Sequence, residues 1–225
     1  MIIACHHITK EFVDKTILSD ITFHLEKGDR AAIVGVNGAG KSTLYHSGLW
    51  QHADMPSELK RVNADEILLE QGGDWKDTTC QVRAGREAIE RTRTYLRECR
   101  SFSHECTLAG KTVLHTLQQA HDLGFFVRMH YVGVQDPGLA NERIAHRLEA
   151  GGHGIDAQVV IRRWERSQEH FLRAVKFCNE VLLFDNTRQM RLVARLKRGA
   201  VTSVYPADPS VTWHRQLLSR LQRAM

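Results

Sequence analysis

The stretch that decides the fold is Ala32-Ile33-Val34-Gly35-Val36-Asn37-Gly38-Ala39-Gly40-Lys41-Ser42-Thr43, an apolar strand, a glycine-rich turn and then Lys-Ser-Thr opening a helix. It fits the pattern G-x-x-x-x-G-K-[ST]. A loop that wraps a polyphosphate must bring successive backbone N–H groups close to it, and side chains at Gly35, Gly38 and Gly40 would block that approach. Asn37 and Ala39 fill the remaining loop positions. The helix opening near Lys41 turns its positive dipole end to the phosphates. Lys41 supplies a mobile cation, the Ser42 hydroxyl is placed to ligate Mg²⁺, and Thr43 is its usual neighbour. A chance glycine-rich turn would not bring strand, loop and helix signals in this order, so the stretch points to ATP and Mg²⁺.

Outward from the loop, 225 residues of ordinary composition bury one sizeable core, which predicts a single domain over 1–225. The formal charge of +5 could suggest a nucleic-acid partner, yet many of the arginines alternate with acids at helical spacing, which predicts a solvated helix face plus some phosphate-binding arginines. No aromatic-interleaved basic patch or reading helix appears, so nucleic acid is not an expected partner. Five scattered cysteines without a C-x-x-C pair fit reduced thiols in a cytoplasm. Thirteen histidines show no metal-ligand spacing. No apolar run reaches membrane-spanning length, so a soluble, cytoplasmic protein without a membrane partner is expected.

The pattern along the chain predicts an α/β phosphate-loop nucleoside triphosphate hydrolase or kinase fold: a mostly parallel sheet flanked by helices, with an N-terminal antiparallel strand pair over 1–28. A helix is expected from Lys41 to about Gln51 and another from Asp77 to Arg100. Strands are expected at 101–106 and 125–134, and further helices over 111–123 and from Pro137 to about Ala150. An amphipathic tail runs from Asp208, with Trp213, Leu217 and Leu221 facing inward. Ligands then belong at the carboxyl ends of the strands.

A hydroxyl kinase needs a carboxylate beside the hydroxyl to accept its proton. Asp65, after a short strand ending in Asn63-Ala64, is placed for that; the alternative is that it caps the following helix. Glu66 falls inside the first helical turn and is a poorer candidate. Charge on the transferred group calls for arginines from a mobile segment. Arg143, Arg147, Arg162, Arg163 and Arg166 lie on two helical segments joined by Gly151-Gly152-His153-Gly154, an arginine-rich lid over about 142–170. Arg147, Arg162 and Arg166 are the chosen catalytic arginines, Arg162 and Arg166 sharing a face by i, i+4 spacing; solvated surface is the alternative for some of the five.

Residues 1–44, with Phe12 where such proteins stack adenine and "KTILSDITFHLEKGDRAAIVGVNGAGKSTL", resemble the start of an ATP-binding-cassette ATPase. That family's glutamine loop, L-S-G-G-Q signature and switch histidine do not follow in order, and Asn186 stands after Val181–Asp185 where its catalytic glutamate would be. From about 44 to 205 the chain resembles the zeta-toxin-like kinases through "VNADEIL" (62–68), "AGREAIERTRTYL" (84–96), "SFSHECTLAGKT" (101–112), "ERIAHRLEAGGHGI" (142–155), "IRRWERS" (161–167) and "LLFDNT" (182–187). The junction would fall at the loop the two families share. The second resemblance implies transfer of a γ-phosphate to a hydroxyl of a small-molecule acceptor such as a nucleotide sugar. It implies Asp65 as catalytic aspartate and Glu105 and Thr107 as acceptor-binding residues, a salt bridge being the alternative for Glu105. It also allows an antitoxin protein as partner. Ala109 replaces the arginine those toxins carry two positions after the threonine, UDP-N-acetylglucosamine being their acceptor. Asp185-Asn186-Thr187 is placed near adenine. A cassette-type ATPase module and an inactive ATP-binding fusion are the other two expectations.

Overall fold

The structure is a computed structural model describing residues 3–12, 15–25, 30–35, 37–51, 55, 59–150 and 154–224, with side chains described from Gly35 onward. The expectation for Phe12 and most of the Gly151–Gly154 link therefore lie outside the described side chains and residues. Strands β1 (Ile3–Phe12) and β2 (Lys15–Leu25) pair antiparallel as a sheet of their own, as expected over 1–28. β3 (Arg30–Gly35) begins the main sheet and runs into the glycine-rich loop.

The chain then alternates. α1 (Lys41–Ser47) leads to β4 (Lys60–Asn63), α2 (Ala64–Glu70), α3 (Thr78–Arg97), β5 (Phe102–Cys106), α4 (Lys111–Asp122) and β6 (Val127–Gly133). Next come α5 (Pro137–Glu149), α6 (Ala157–Ala174), a 3₁₀ turn, β7 (Glu180–Asp185), β8 (Arg191–Lys197), β9 (Ala200–Val204) and α7 (Trp213–Ala224). The main sheet has seven strands in the order β4-β5-β3-β6-β7-β8-β9; the first five are parallel and the last two antiparallel. This is the expected α/β phosphate-loop fold. Its order reverses at β3, whose neighbours β5 and β6 both follow it in sequence, so the crevice beyond the carboxyl ends of these strands is the topological switch point.

Two central strands are buried along their whole length, β6 and β7. β6 and β7 still carry charge, because Arg128 and Glu180 face each other in register and their side chains pair at 2.6 Å. The larger core cluster gathers Phe102, Leu117, Met129, Phe171, Leu183 and Leu217, all essentially inaccessible. A smaller one, with Ala39, Leu44, Val132, Ala140 and Phe184, lies under the loop.

Two local expectations need correction. α1 ends at Ser47 with Gly48 as its C-cap, well short of Gln51. The tail helix starts at Trp213, because Asp208 accepts from Ser210 in a turn that keeps that segment out of the helix; Trp213, Leu217 and Leu221 do face inward. The β8–β9 hairpin was not foreseen. Its turn is Arg198-Gly199, both with positive φ (49° and 85°), a mirror-image turn that fits the strand twist.

Candidate functional site: the crevice above the glycine-rich loop

The loop is held on three sides. Beneath it, a Cβ on Gly35 would stand 2.3 Å from the Val132 carbonyl oxygen of β6, so the strands meet there only without a side chain. Beside it, a Cβ on Gly38 would stand 2.5 Å from the Ala140 oxygen of α5. Gly40 has φ of 97° and faces the Asn186 side chain, whose amide donates to the Ala39 carbonyl at 2.8 Å. The Asp185–Thr187 turn thus lies against the phosphate loop itself. Asp185 is fixed in turn by accepting from Trp213 Nε1 (2.7 Å) and the Thr187 hydroxyl (2.6 Å).

Lys41 is buried at the start of α1. Burial pushes its ammonium below the ordinary lysine value, the carboxylates of Glu105 and Asp65 act against that, and Arg147 adds to it. Thr43 is exposed beside Ser42. Ser42 Oγ donates to Glu105 Oε1 at 3.1 Å, and Glu105 Oε2 accepts from Arg61 at 2.5 Å and from Asn63 Nδ2 at 3.3 Å. Arg61 also pairs with Glu66 and lies flat over the Tyr45 ring, 3.5 Å from its centre. Burial raises the Glu66 carboxyl and Arg61 lowers it. Glu105, expected on the acceptor, therefore faces the loop, held across β4 by register with Asn63.

Asp65 is not the cap of α2. Asn63 is: its side chain accepts from the Asp65 backbone N–H at 3.0 Å, which places Asp65 in the first turn. Its carboxylate acts electrostatically on both Lys41 and Arg163.

The arginines divide. Arg147 on α5 contributes its charge to the surroundings of Lys41. Arg143 donates to the Thr187 carbonyl at 3.0 Å. Arg163, which the sequence reasoning did not choose, donates to Asn37 Oδ1 in the loop at 2.8 Å; burial pushes its guanidinium down and Asp65 pulls it back up. The chosen pair Arg162 and Arg166 line a separate cavity of about 300 Å³ together with Arg163, Val159, Thr107, Ala109 and Gly110. Thr107 is therefore at the cavity and Glu105 at the loop, two residues apart in sequence but in different places. α5 and α6, the expected lid, both turn inner faces into the core, α6 through Val160, Phe171 and Ala174.

An oxygen-only pair, Ser42 and Glu105, fits the hard-cation chemistry of Mg²⁺, which binds through one or two protein oxygens plus substrate phosphates. Among the described residues no group of three or more His, Cys, Asp or Glu is placed to hold a metal ion. No helix of the described residues is long and apolar enough to cross a membrane.

Comparison with known proteins gives the family. The model described as ABC transporter matches residues 18–130, half of the 225-residue chain. The chain belongs to this ABC transporter family. The match runs past Leu44, where the resemblance was expected to change, as far as β6. An uncharacterized protein of Haemophilus influenzae is 28% identical over 130 residues, covering 58% of this chain and 88% of the relative. The ABC transporter ATP-binding protein MJ1242 of Methanocaldococcus jannaschii, also uncharacterized, is 46% identical over 46 residues, covering 20% of this family member and 8% of its own length. Among solved structures, one from the PezAT chromosomal toxin–antitoxin system of Streptococcus pneumoniae superposes with a TM-score of 0.54 at 13% identity, covering 88% of this chain and 85% of that one. That likeness is one of fold. Family and fold agree on a nucleotide-binding P-loop protein.

Proposed function

We propose that this protein is an ATP- and Mg²⁺-dependent phosphotransferase of a single domain that moves the γ-phosphate to a hydroxyl of a small molecule. The observation that carries it is the setting of Asp65. Its carboxylate is relieved of capping by Asn63 and is felt both by the loop lysine and by Arg163 in the cavity wall. A carboxylate between a phosphate-binding loop and a second cavity is what a hydroxyl acceptor requires of a base. Asp65 orients the acceptor hydroxyl and takes its proton as the new phosphorus–oxygen bond forms and the bond from the γ-phosphorus to the β–γ bridging oxygen breaks, ADP leaving with that oxygen.

Gly35 to Thr43 cradle the triphosphate, Lys41 sits on its outer oxygens, and Arg147 and Arg163 stand where charge spreads in the transition state. Ser42 and Glu105 would hold the Mg²⁺, which would supply charge neutralisation to the phosphates. Thr107 belongs to the acceptor side. An antitoxin partner is supported only by fold likeness to a toxin–antitoxin component. The experiment is ATP consumption with and without candidate acceptors, using Asp65→Asn as control. That variant should lose transfer by a factor of about 10² or more and keep ATP binding. Unchanged transfer would remove Asp65 from the role.

The family match favours one second reading, an ATPase module that dimerises around ATP and hydrolyses it without an acceptor. ATP turnover independent of any acceptor, with ATP-driven dimerisation, would support it.

A further inference from the structure

We propose that the acceptor carries a phosphate monoester, seated in the cavity between α6 and the loop after β5 and gripped by Arg162 and Arg166; this rests on the phosphotransferase reading above. The cavity's charged lining is entirely cationic, Arg162, Arg163 and Arg166 facing Thr107, Ala109 and Gly110. Arg163 is engaged with Asn37 of the phosphate loop. Among the described residues neither Arg162 nor Arg166 has a carboxylate partner, and they sit one helical turn apart, where like charges repel. A dianion placed between them relieves that repulsion, and the planar guanidinium forks match its geometry.

The walls are built. Leu108, whose side chain is fully buried, holds a φ of 30°, and its carbonyl is met by the buried His170 ring of α6 at 2.8 Å. A non-glycine residue held in that region is strained, and such strain gathers at binding sites. Trp164 Nε1 donates to the Val134 carbonyl, so α6 is also tied to the end of β6. Both arginines therefore project from a fixed helix face. Opposite them the wall is backbone and the small side chain of Ala109, which leaves room for a ring and its hydroxyls beside Thr107. At about 300 Å³ the cavity is at the lower end of ligand-site sizes and is suited to one sugar ring with its phosphate.

The test is titration calorimetry on the full chain with the phosphate loop filled by a non-hydrolysable ATP analogue and Mg²⁺. The probes are glucose 6-phosphate, ribose 5-phosphate, uridine 5′-monophosphate, UDP-glucose, glucose and inorganic phosphate. At least one monoester should bind ten times or more tighter than glucose and tighter than UDP-glucose, and the first two probes against the third separate sugar from nucleoside phosphates. Arg162→Gln with Arg166→Gln should weaken that binding at least tenfold. Ala109→Asp, which sets a carboxylate in the opposite wall, should do the same without touching either arginine. Overturning results are no monoester binding, equal affinity for glucose and its phosphate, tighter UDP-glucose binding, inorganic phosphate alone binding as well, or affinity unchanged in both variants. If the monoester binds as expected yet gains no phosphate when ATP replaces the analogue, the site stands and the phosphotransferase reading falls.

Discussion

Glu105 shows how one residue is assigned by its partners. It is almost buried, it accepts from Ser42, Arg61 and Asn63, and its side chain and that of Arg61 keep only 7% and 12% of their surface. Glu105→Ala leaves Arg61 its pairing with Glu66 but takes the acceptor from the Ser42 hydroxyl and the Asn63 amide, at a cost of about 1–3 kcal/mol. It should lower unfolding stability by about that much, read as a fall in the denaturation midpoint, while a rim salt bridge would cost under about 1 kcal/mol. Asn186 tests the loop at the same scale. Losing its 2.8 Å bond to Ala39 should weaken ATP binding about tenfold in Asn186→Ala, the worth of one hydrogen bond. Equal affinity in a direct titration would show the loop to be self-supporting. The sequence could not reveal either partnership, because Arg61, Asn63 and Asn186 meet their targets only through sheet register and a chain reversal far along the sequence.

At the scale of elements, the loop was legible because strand, glycines and Lys-Ser-Thr are contiguous, and so were the parallel strands with their helices. Asp65 as an N-cap was a fair competitor on local preference alone. It lost to Asn63 because β4 ends on that residue, whose side chain then accepts from the Asp65 backbone N–H. Choosing Arg162 and Arg166 by their common face was sound helix geometry, but which face meets the loop depends on how α6 packs. Phe171 and Ala174 inward bring Arg163 to Asn37 and leave the chosen pair on the cavity. The β8–β9 hairpin escaped notice because Arg198, the first turn residue, is not one that favours positive φ. Gly35 gives the element-level prediction. Gly35→Ala drives a methyl group into the Val132 carbonyl of a buried central strand and should destabilise by about 1–3 kcal/mol or more, seen as a thermal midpoint lowered by several degrees. A midpoint within one degree of the wild type would mean β3 and β6 can separate.

Over the whole molecule, the candidate site residues lie toward the carboxyl ends of the parallel strands, and α7 packs against those ends too, Trp213 donating to Asp185 at the end of β7 and His214 buried beside it in sequence. Burial pushes His214 below the ordinary histidine value, opposed by Asp185 and reinforced by Arg215. Its folded value being the lower one, the unfolded chain binds the extra proton. Stability attached to His214 is full above about pH 6.5 and is lost as pH falls below it, by at most about 1.4 kcal/mol per pH unit. The slope of unfolding free energy between pH 7 and 5 should be shallower in His214→Gln; an identical slope would acquit the residue.

The central claim is that the phosphate is passed on rather than released to water, and mass spectrometry of the reaction tests it most directly. With ATP, Mg²⁺ and a mixture of hydroxyl-bearing sugar phosphates, we expect ADP to appear one for one with an acceptor heavier by a single phosphoryl group, and neither to appear with Asp65→Asn. ADP accumulating at the same rate with free phosphate as its only companion, whether or not an acceptor is added, would contradict it.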